Sequence, residues 1–437
     1  MYYNLGKFFN LRGLSYLPLI GIIAISSYSF CPVEKAAFTS DTILVSAKWI
    51  GTPQETILND SLLYGDYPAP IFRKEFIINQ EINTAVLYIT AAGYYNALLN
   101  GKKIGRNYFD PAWTDFSKRI YYSEYDLSTE IKEGSNILGV TLGNGFYNPL
   151  PMRMWGHLNL RNYLTVGQPI FIAKLRVEYK NGEVEEIVTD DSWEYFFGPI
   201  IRNNVYLGEV YDARREIKNW SLPGFNSIGW GKSHIHKGPG GKLQKSFFPP
   251  IQITNIIEPV SISAIPNNRY VVDMGENFTG TYRIKLNGRL GDTISLRFGE
   301  RIYQNGELNP MTTVAGQIKE PGKGGPGSPA IAWQEDKYIF GDSSDIWYSP
   351  LFTFHTYRYM EISGIKRQVN VNDLKGIALN TNVNDNGTFN CSTELVNSIQ
   401  GAVEKTFVAN LIGVQSDCPA REKFGYGGDL NAVSEAF

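Results

Sequence analysis

The stretch SDCPAREKFGYGGD, residues 416–429, sets three carboxylates, Asp417, Glu422 and Asp429, among one proline and three glycines. Counted from Asp417, the other two lie at +5 and +12. On a continuous helix, steps of five and seven residues turn about 500° and 700°, so the acids would share no face. Pro419 and the GYGG run break such a helix in any case. The segment therefore reads as a loop between two helices, which can aim several carboxylates into one cavity. Carboxylates beside the aromatic rings of Phe424 and Tyr426 suit a sugar subsite. The acids would bind hydroxyls and move protons, and the rings would stack on the apolar faces of the sugar. Arg421 and Lys423 would offset the clustered negative charge. The same residues also fit a solvated interhelix loop with Asp429 as N-cap of the last helix.

Helical elements must flank this loop. In STELVNSIQGAVEKTFVANLIG, residues 392–413, Leu395, Ile399, Val403 and Phe407 recur every four residues, which predicts a helix. Ser392 or Thr393 can cap it and Gly413 can end it. A second helix is expected from Asp429 onward. One helix and a part of another cannot bury a core, so the expectation is the first turns of a third, helical domain whose remainder lies outside this chain. A helical cap on the preceding sandwich is the alternative.

Before residue 390 the period is that of strands. AVLYITAAGYYNALLNGKKIG (85–105) reads as two strands and a hairpin turn at Asn100-Gly101, and FIAKLRVEYKNGEVEEIVTD (171–190) as a hairpin around Asn181-Gly182. NILGVTLGNGFYN (136–148) adds a strand that ends in a glycine turn. Repeated short strands at this spacing predict a sandwich or jelly roll. Residues 229–250, rich in Gly, Pro and Lys, read as a linker. A second β unit follows, with strands across 269–302 and 351–365. Residues 316–330, GQIKEPGKGGPGSPA, read as a long flexible loop without the Lys-Ser/Thr pair of a phosphate loop.

Composition supports β-rich domains. Of 437 residues, 14% are aromatic and 43 are glycine, and at roughly 150 residues per domain the length suggests about three domains. The net charge of -2 gives no basic footprint for nucleic acid. Lys7 and Arg12 precede the apolar run 14–27, too short for a comfortable transmembrane span. Residues 1–30 are thus expected to be a signal peptide, with no membrane span after cleavage and an exported mature protein, periplasmic or extracellular. A membrane anchor is the alternative, and a lipid anchor at Cys31 fits poorly because Phe30 precedes it. Cys391 and Cys418 could pair or stay reduced. There is no CxxC to suggest a structural zinc. His234 and His236 alone make a weak metal case.

SDCPAREKFGYGGD resembles the D-C-P-x-R-E-x-x-G-[WY]-x-G-D segment of bacterial α-L-rhamnosidases, glycoside hydrolase family 78. FDPAWTDFSKRIYYSEYDLS (109–128), LGNGFYNP (142–149) and GEVYDAR (208–214) resemble that family's N-terminal jelly roll. VDMGENFTG (272–280) and FTFHTYRYMEISG (352–364) resemble its second β-sandwich, FTFHTYRY standing for the usual F-x-x-H-G-F-R-Y. The resemblance spans nearly all of residues 43–437. It implies removal of terminal α-L-rhamnose with inversion, in an (α/α)6 barrel, from a rhamnose-containing oligosaccharide, polysaccharide or glycoside. Glu422 falls on the general acid, and Asp417 and Asp429 on aspartates that bind rhamnose hydroxyls. Arg421 and Tyr426 complete the substrate contacts, Tyr426 standing where many members carry Trp. The general base of the family comes from far downstream, so none is expected in this chain. A general acid must stay protonated at the working pH, which demands burial or like charge around Glu422.

The fold class expected is mainly β: a jelly roll over 43–235 and a concanavalin-like β-sandwich over 250–380, then the first helices of a truncated (α/α)6 barrel over 388–437. No cofactor is required on this reading. Some members of the family bind rhamnose through calcium in a β-domain, and Asp110, Trp113, Asn144 and Asn148 are the candidates here. The alternative for those residues is a turn locked into the core. For the chain as it stands, the alternative function is a non-catalytic carbohydrate-binding β-sandwich fragment. Another glycosidase sharing the jelly roll would not explain the acid spacing. The oligomeric state stays open.

Overall fold

The computed structural model describes residues 42–154, 158–367, 369–384 and 387–434. The leader expected over 1–30 lies outside them. Among the described residues no helix is long and apolar enough to cross a membrane.

Strict alternation builds the first sandwich. In the strand Ile82–Ala92, Ala85, Leu87, Ile89 and Ala91 are buried on one face, as a period of two requires. Gly93, at φ 103°, then lets the chain cross to the opposite sheet; a Cβ there would meet the Gly143 carbonyl at 2.5 Å. One sheet runs through Trp49–Gly51, Ile170–Tyr179, Ile82–Ala92 and Arg119–Asp126, and the other through Glu194–Phe197, Pro70–Ile78, Gly134–Gly143 and Tyr94–Leu99. Phe72, Leu87, Val140, Phe171 and Trp193 fill the space between them. Both expected hairpins form. Asn100 and Gly101 take φ 50° and 80°, which sets Leu99 opposite Lys102, and Lys174–Glu178 pair with Val184–Val188.

Residues 229–250 are not a free linker. Gly231–Lys232, His234–His236 and Lys242–Lys245 are strands that complete the edges of the two sheets. His234 and His236 sit on one such edge, and His236 Nε2 lies 3.0 Å from the Thr52 carbonyl. Glycine and proline content hid these strands because they are only two to four residues long.

The second β unit is a ten-stranded sheet around the twenty-residue strand Arg269–Gly288, which shifts register between Asp273 and Phe278. Its core holds Tyr282, Leu296, Phe298, Tyr357 and Ile362. The hairpin Ile200–Asn204 and Gly208–Asp212 joins this sheet by parallel pairing to Glu335–Ile339. Residues 200–212 thus leave the first sandwich for the second sheet, and residues 231–245 return to the first sandwich.

A further apolar cluster fills the seam, with Tyr94, Phe146, Val205, Ile318, Phe352 and Phe354 among its buried members. Residues 314–332 join it. Val314, Ala315, Ile318 and Ala332 are fully buried, so both ends of the expected loop are anchored in the seam while its middle stays largely exposed.

Helix α1 spans Glu394–Asn410 and α2 spans Gly427–Val433. Thr393 occupies the N-cap position of α1 without a side-chain bond, and the helix stops at Asn410, before Gly413. The apolar stripe is real but uncovered, with Leu395 69% and Ile399 56% exposed. Tyr426, not Asp429, is the N-cap of α2, and Asp429 falls in its first turn, where its charge suits the helix dipole.

Candidate active site

The loop between α1 and α2 is tied down along its length. Thr381 donates its backbone N–H to the Leu411 carbonyl and accepts the Gly413 N–H at Oγ1. Asp417 N–H reaches the Phe424 carbonyl at 3.2 Å, and Lys423 N–H reaches the Cys418 carbonyl at 3.0 Å. Glu422 N–H points at Cys418 Sγ, 3.3 Å away. This tight turn forces Lys423 into the left-handed region at φ 54°, a cost that other contacts must offset. Cys391 and Cys418 are both free thiols.

The turn brings the acids together. One carboxylate oxygen each from Asp417 and Glu422, with Cys418 Sγ, lie within 4.8 Å of one another. Burial, then the charges of Glu422 and Asp429, raise the Asp417 pKa above the usual carboxylate range, against hydrogen bonds from Cys418 that lower it. Asp417 therefore feels both other predicted acids. Tyr426 Oη donates to Glu422 Oε2 at 2.6 Å. Gln317 Nε2 donates to Glu422 Oε1 at 3.3 Å. Arg421 is exposed, and its backbone carbonyl accepts from Gly316 N–H at 3.4 Å. Gln317 was missed in the sequence because it sits in a Gly-Pro-rich stretch that carries no periodic signal.

Lys423 does not offset the acid cluster. Its side chain turns away and is buried in the β-seam, where Nζ donates to the carbonyls of Val205 at 2.5 Å and Phe354 at 2.6 Å, and to Gln334 Oε1 at 3.3 Å. Burial pulls its pKa down to about 7, against the opposing charge of Asp336. On the near side of the seam, Phe424 meets Trp113 edge-on at 4.9 Å, and Trp113 stacks on Phe146 at 4.3 Å.

The architecture has counterparts among known proteins. Three family models match in chain order: the alpha-L-rhamnosidase N-terminal domain over residues 80–255, the bacterial alpha-L-rhamnosidase concanavalin-like domain over 263–380, and the bacterial alpha-L-rhamnosidase 6 hairpin glycosidase domain over 384–437. The chain belongs to the bacterial α-L-rhamnosidases. An alpha-L-rhamnosidase of Formosa agariphila is 30% identical over 375 residues, which are 84% of this chain and 38% of that protein. The solved α-L-rhamnosidase from Dictyoglumus thermophilum is 36% identical with a TM-score of 0.77, over 90% of this chain and 42% of that one. The Streptomyces avermitilis α-L-rhamnosidase complexed with L-rhamnose is 27% identical with a TM-score of 0.75, over 84% of this chain and 34% of that one. The chain spans only 34–42% of the length of these α-L-rhamnosidases.

Within this chain the four residues considered for calcium lie in settings that do not fit it. Asp110 Oδ2 accepts from Tyr95, Asn107, Ser123 and Tyr125. Asn148 Nδ2 donates to Asn144 Oδ1, Arg161 donates to Asn148 Oδ1, and Asn144 Nδ2 donates to the Asn203 carbonyl. Trp113 offers no oxygen. A calcium cage needs about six to eight oxygens, whereas Asp110 Oδ2, Asn144 Oδ1 and Asn148 Oδ1 already accept from protein donors. Asp110 does line a cavity of about 250 Å³ with Tyr121, Ser123, Phe248 and the hydrogen-bonded pair Glu124 and Lys245. Asp110 Oδ2, Ser123 and the Glu124–Lys245 pair are already bonded within the protein.

Proposed function

We propose that this chain supplies the acid half of an active site that hydrolyses terminal non-reducing α-L-rhamnose from rhamnosides. Glu422 protonates the glycosidic oxygen as the bond from C1 breaks. Asp417, Asp429, Arg421 and Tyr426 hold the sugar. Water attacks C1 from the opposite face and gives its proton to a second carboxylate, which yields inverted rhamnose and the free aglycone. Inversion requires the two carboxylates about 6.5–9.5 Å apart. Asp417 lies too close to Glu422 to be that base, and on this reading the base comes from another part of the glycosidase domain. The observation that carries the reading is the joint one of Asp417, Glu422 and Tyr426 on one turn, within the stretch matched to the 6 hairpin glycosidase domain. The leader-like residues 1–30 support export of the protein.

The test uses the chain continued through a complete glycosidase domain. Glu422→Gln is expected to lower turnover of an alkyl rhamnoside by roughly 10²–10⁴-fold with the melting temperature unchanged. Undiminished turnover would remove Glu422 from the role. A second reading for the β-domains by themselves is a carbohydrate-binding β-sandwich unit. Calorimetric titration of the 437-residue chain with rhamnose checks it, and absence of heat excludes it.

A further inference from the structure

The seam beneath the acid loop holds a continuous buried polar network. Gln334 is its hub. Its Nε2 donates to the carbonyls of Thr313 and of Ala420, the latter two residues before Glu422. Two carbonyl partners fix the amide orientation, so Oε1 faces both Lys423 Nζ and His355 Nδ1, the latter at 3.0 Å. His355 Nδ1 must then carry hydrogen. Its Nε2 lies 2.9 Å from Asp336 Oδ2, which also accepts from Tyr282 Oη, while Asp336 Oδ1 accepts the Glu209 N–H. Gln334, Asp336, His355 and Lys423 are all at most 3% exposed.

From this geometry we infer that Lys423 and Gln334 are positioning residues for Glu422, so that the aim of the acid is set by the seam of the β-domains. As an ammonium, Lys423 Nζ has three donors, and here three acceptors face them, two of them backbone carbonyls from two separate loops of the seam. The Phe354 ring lies 4.2 Å from the same Nζ. Lys423 and Ala420 bracket Glu422 in sequence, and both are clamped from below. The carboxylate between them is left with Tyr426 and Gln317. The inference rests on the acid role proposed above, but its structural arm can fail independently.

The structural arm uses the 437-residue chain. Cys418, bonded to Glu422 N–H, reports opening of the turn, and Cys391 serves as internal control. Lys423→Met keeps the stem and deletes the ammonium. It is expected to speed iodoacetamide labelling of the Cys418 peptide at least about tenfold, with Cys391 labelling and the circular dichroism unchanged. Gln334→Met leaves the ammonium two acceptors and is the milder variant, expected to loosen the same peptide less. Wild-type labelling rates in both variants overturn the clamp. The catalytic arm uses the chain continued through a complete glycosidase domain and compares methyl with 2,4-dinitrophenyl α-L-rhamnoside. The second leaving group needs no proton. A misaimed acid lowers turnover of the methyl glycoside by about 10²-fold and spares the dinitrophenyl one, whereas general loss of structure lowers both alike. If Glu422→Gln shows this split and Lys423→Met does not, the positioning role falls and the acid role stands. If Glu422→Gln shows no split, the acid role itself falls.

Discussion

Tyr426 Oη lies 2.6 Å from Glu422 Oε2, closer than the 3.3 Å between Gln317 Nε2 and Glu422 Oε1. The two donors reach the acid from different parts of the chain, one from the start of α2 and one from the anchored start of the 314–332 segment. A hydrogen bond to the carboxylate that Glu422 becomes as it gives up its proton contributes about 1.5–3 kcal/mol, or roughly 10–100-fold in rate where it is felt in the transition state. Tyr426→Phe, in the chain continued through a complete glycosidase domain, is therefore expected to lower kcat by about tenfold or more. Gln317→Leu should cost less, its bond being longer. Steady-state kinetics of both variants on one rhamnoside decide this, and equal or reversed losses count against the hydrogen-bond ranking.

Trp113 was a candidate sugar ligand in the sequence, yet its ring is spent on Phe146 and Phe424. Truncation of a packed tryptophan costs about 3–5 kcal/mol. Trp113→Ala is expected to lower the urea midpoint of the 437-residue chain clearly, and Trp113→Phe to recover most of it. A neutral Trp113→Ala would return the residue to the surface and reopen its role as a ligand.

What the sequence could disclose followed local physics. Alternation exposed the long strands, and the turn pairs Asn100-Gly101 and Asn181-Gly182 fixed two registers. The cluster of acids was visible because Pro419 and three glycines announced a loop. Contacts between distant segments were hidden. Nothing in GQIKEP marks Gln317 as a partner of a residue 105 positions later. Lys423 looked like a solvent-facing counter-charge because lysine is rarely buried, and only the tertiary cage of Val205, Phe354 and Gln334 reverses that preference. The edge strands of 231–245 escaped because strands so short have no measurable period.

Tyr206 is fully buried, and its Oη has no hydrogen-bond partner among the described residues. It lies near enough to Tyr94, Tyr426, Cys418 and Glu422 for their charges to add to the effect of burial, which holds the phenol neutral far above its ordinary range. An unsatisfied buried hydroxyl costs about 1–3 kcal/mol. Tyr206→Phe removes the cost and keeps the ring, so the variant is expected to be as stable as wild type or up to about 1 kcal/mol more stable. Urea unfolding of the two chains measures it. A clear loss would mean that the hydroxyl has a partner in solution.

Glu209 gives a pH signature of the seam. It is fully buried, and burial pushes its pKa up to about 8; the N–H groups of Phe352 and Leu351 and the hydroxyl of Tyr348 oppose that rise, while the charge of Asp336 adds to it. In the unfolded chain the same carboxyl ionises near 4.5. Between these values the folded state keeps a proton that the unfolded state has lost. The Glu209 contribution to stability is thus fully present below about 4.5 and is lost as pH rises through about 8. Glu209→Gln removes the titration while retaining a carbonyl that can accept from the loop amides. The stability difference, wild type minus variant, should therefore fall steadily from pH 5 to pH 8 and level off above, by a few kcal/mol at most. Urea melts of both chains across this range measure the slope. A difference independent of pH would mean that Glu209 is ionised in the folded seam throughout, held as a carboxylate by the two amides and the tyrosine.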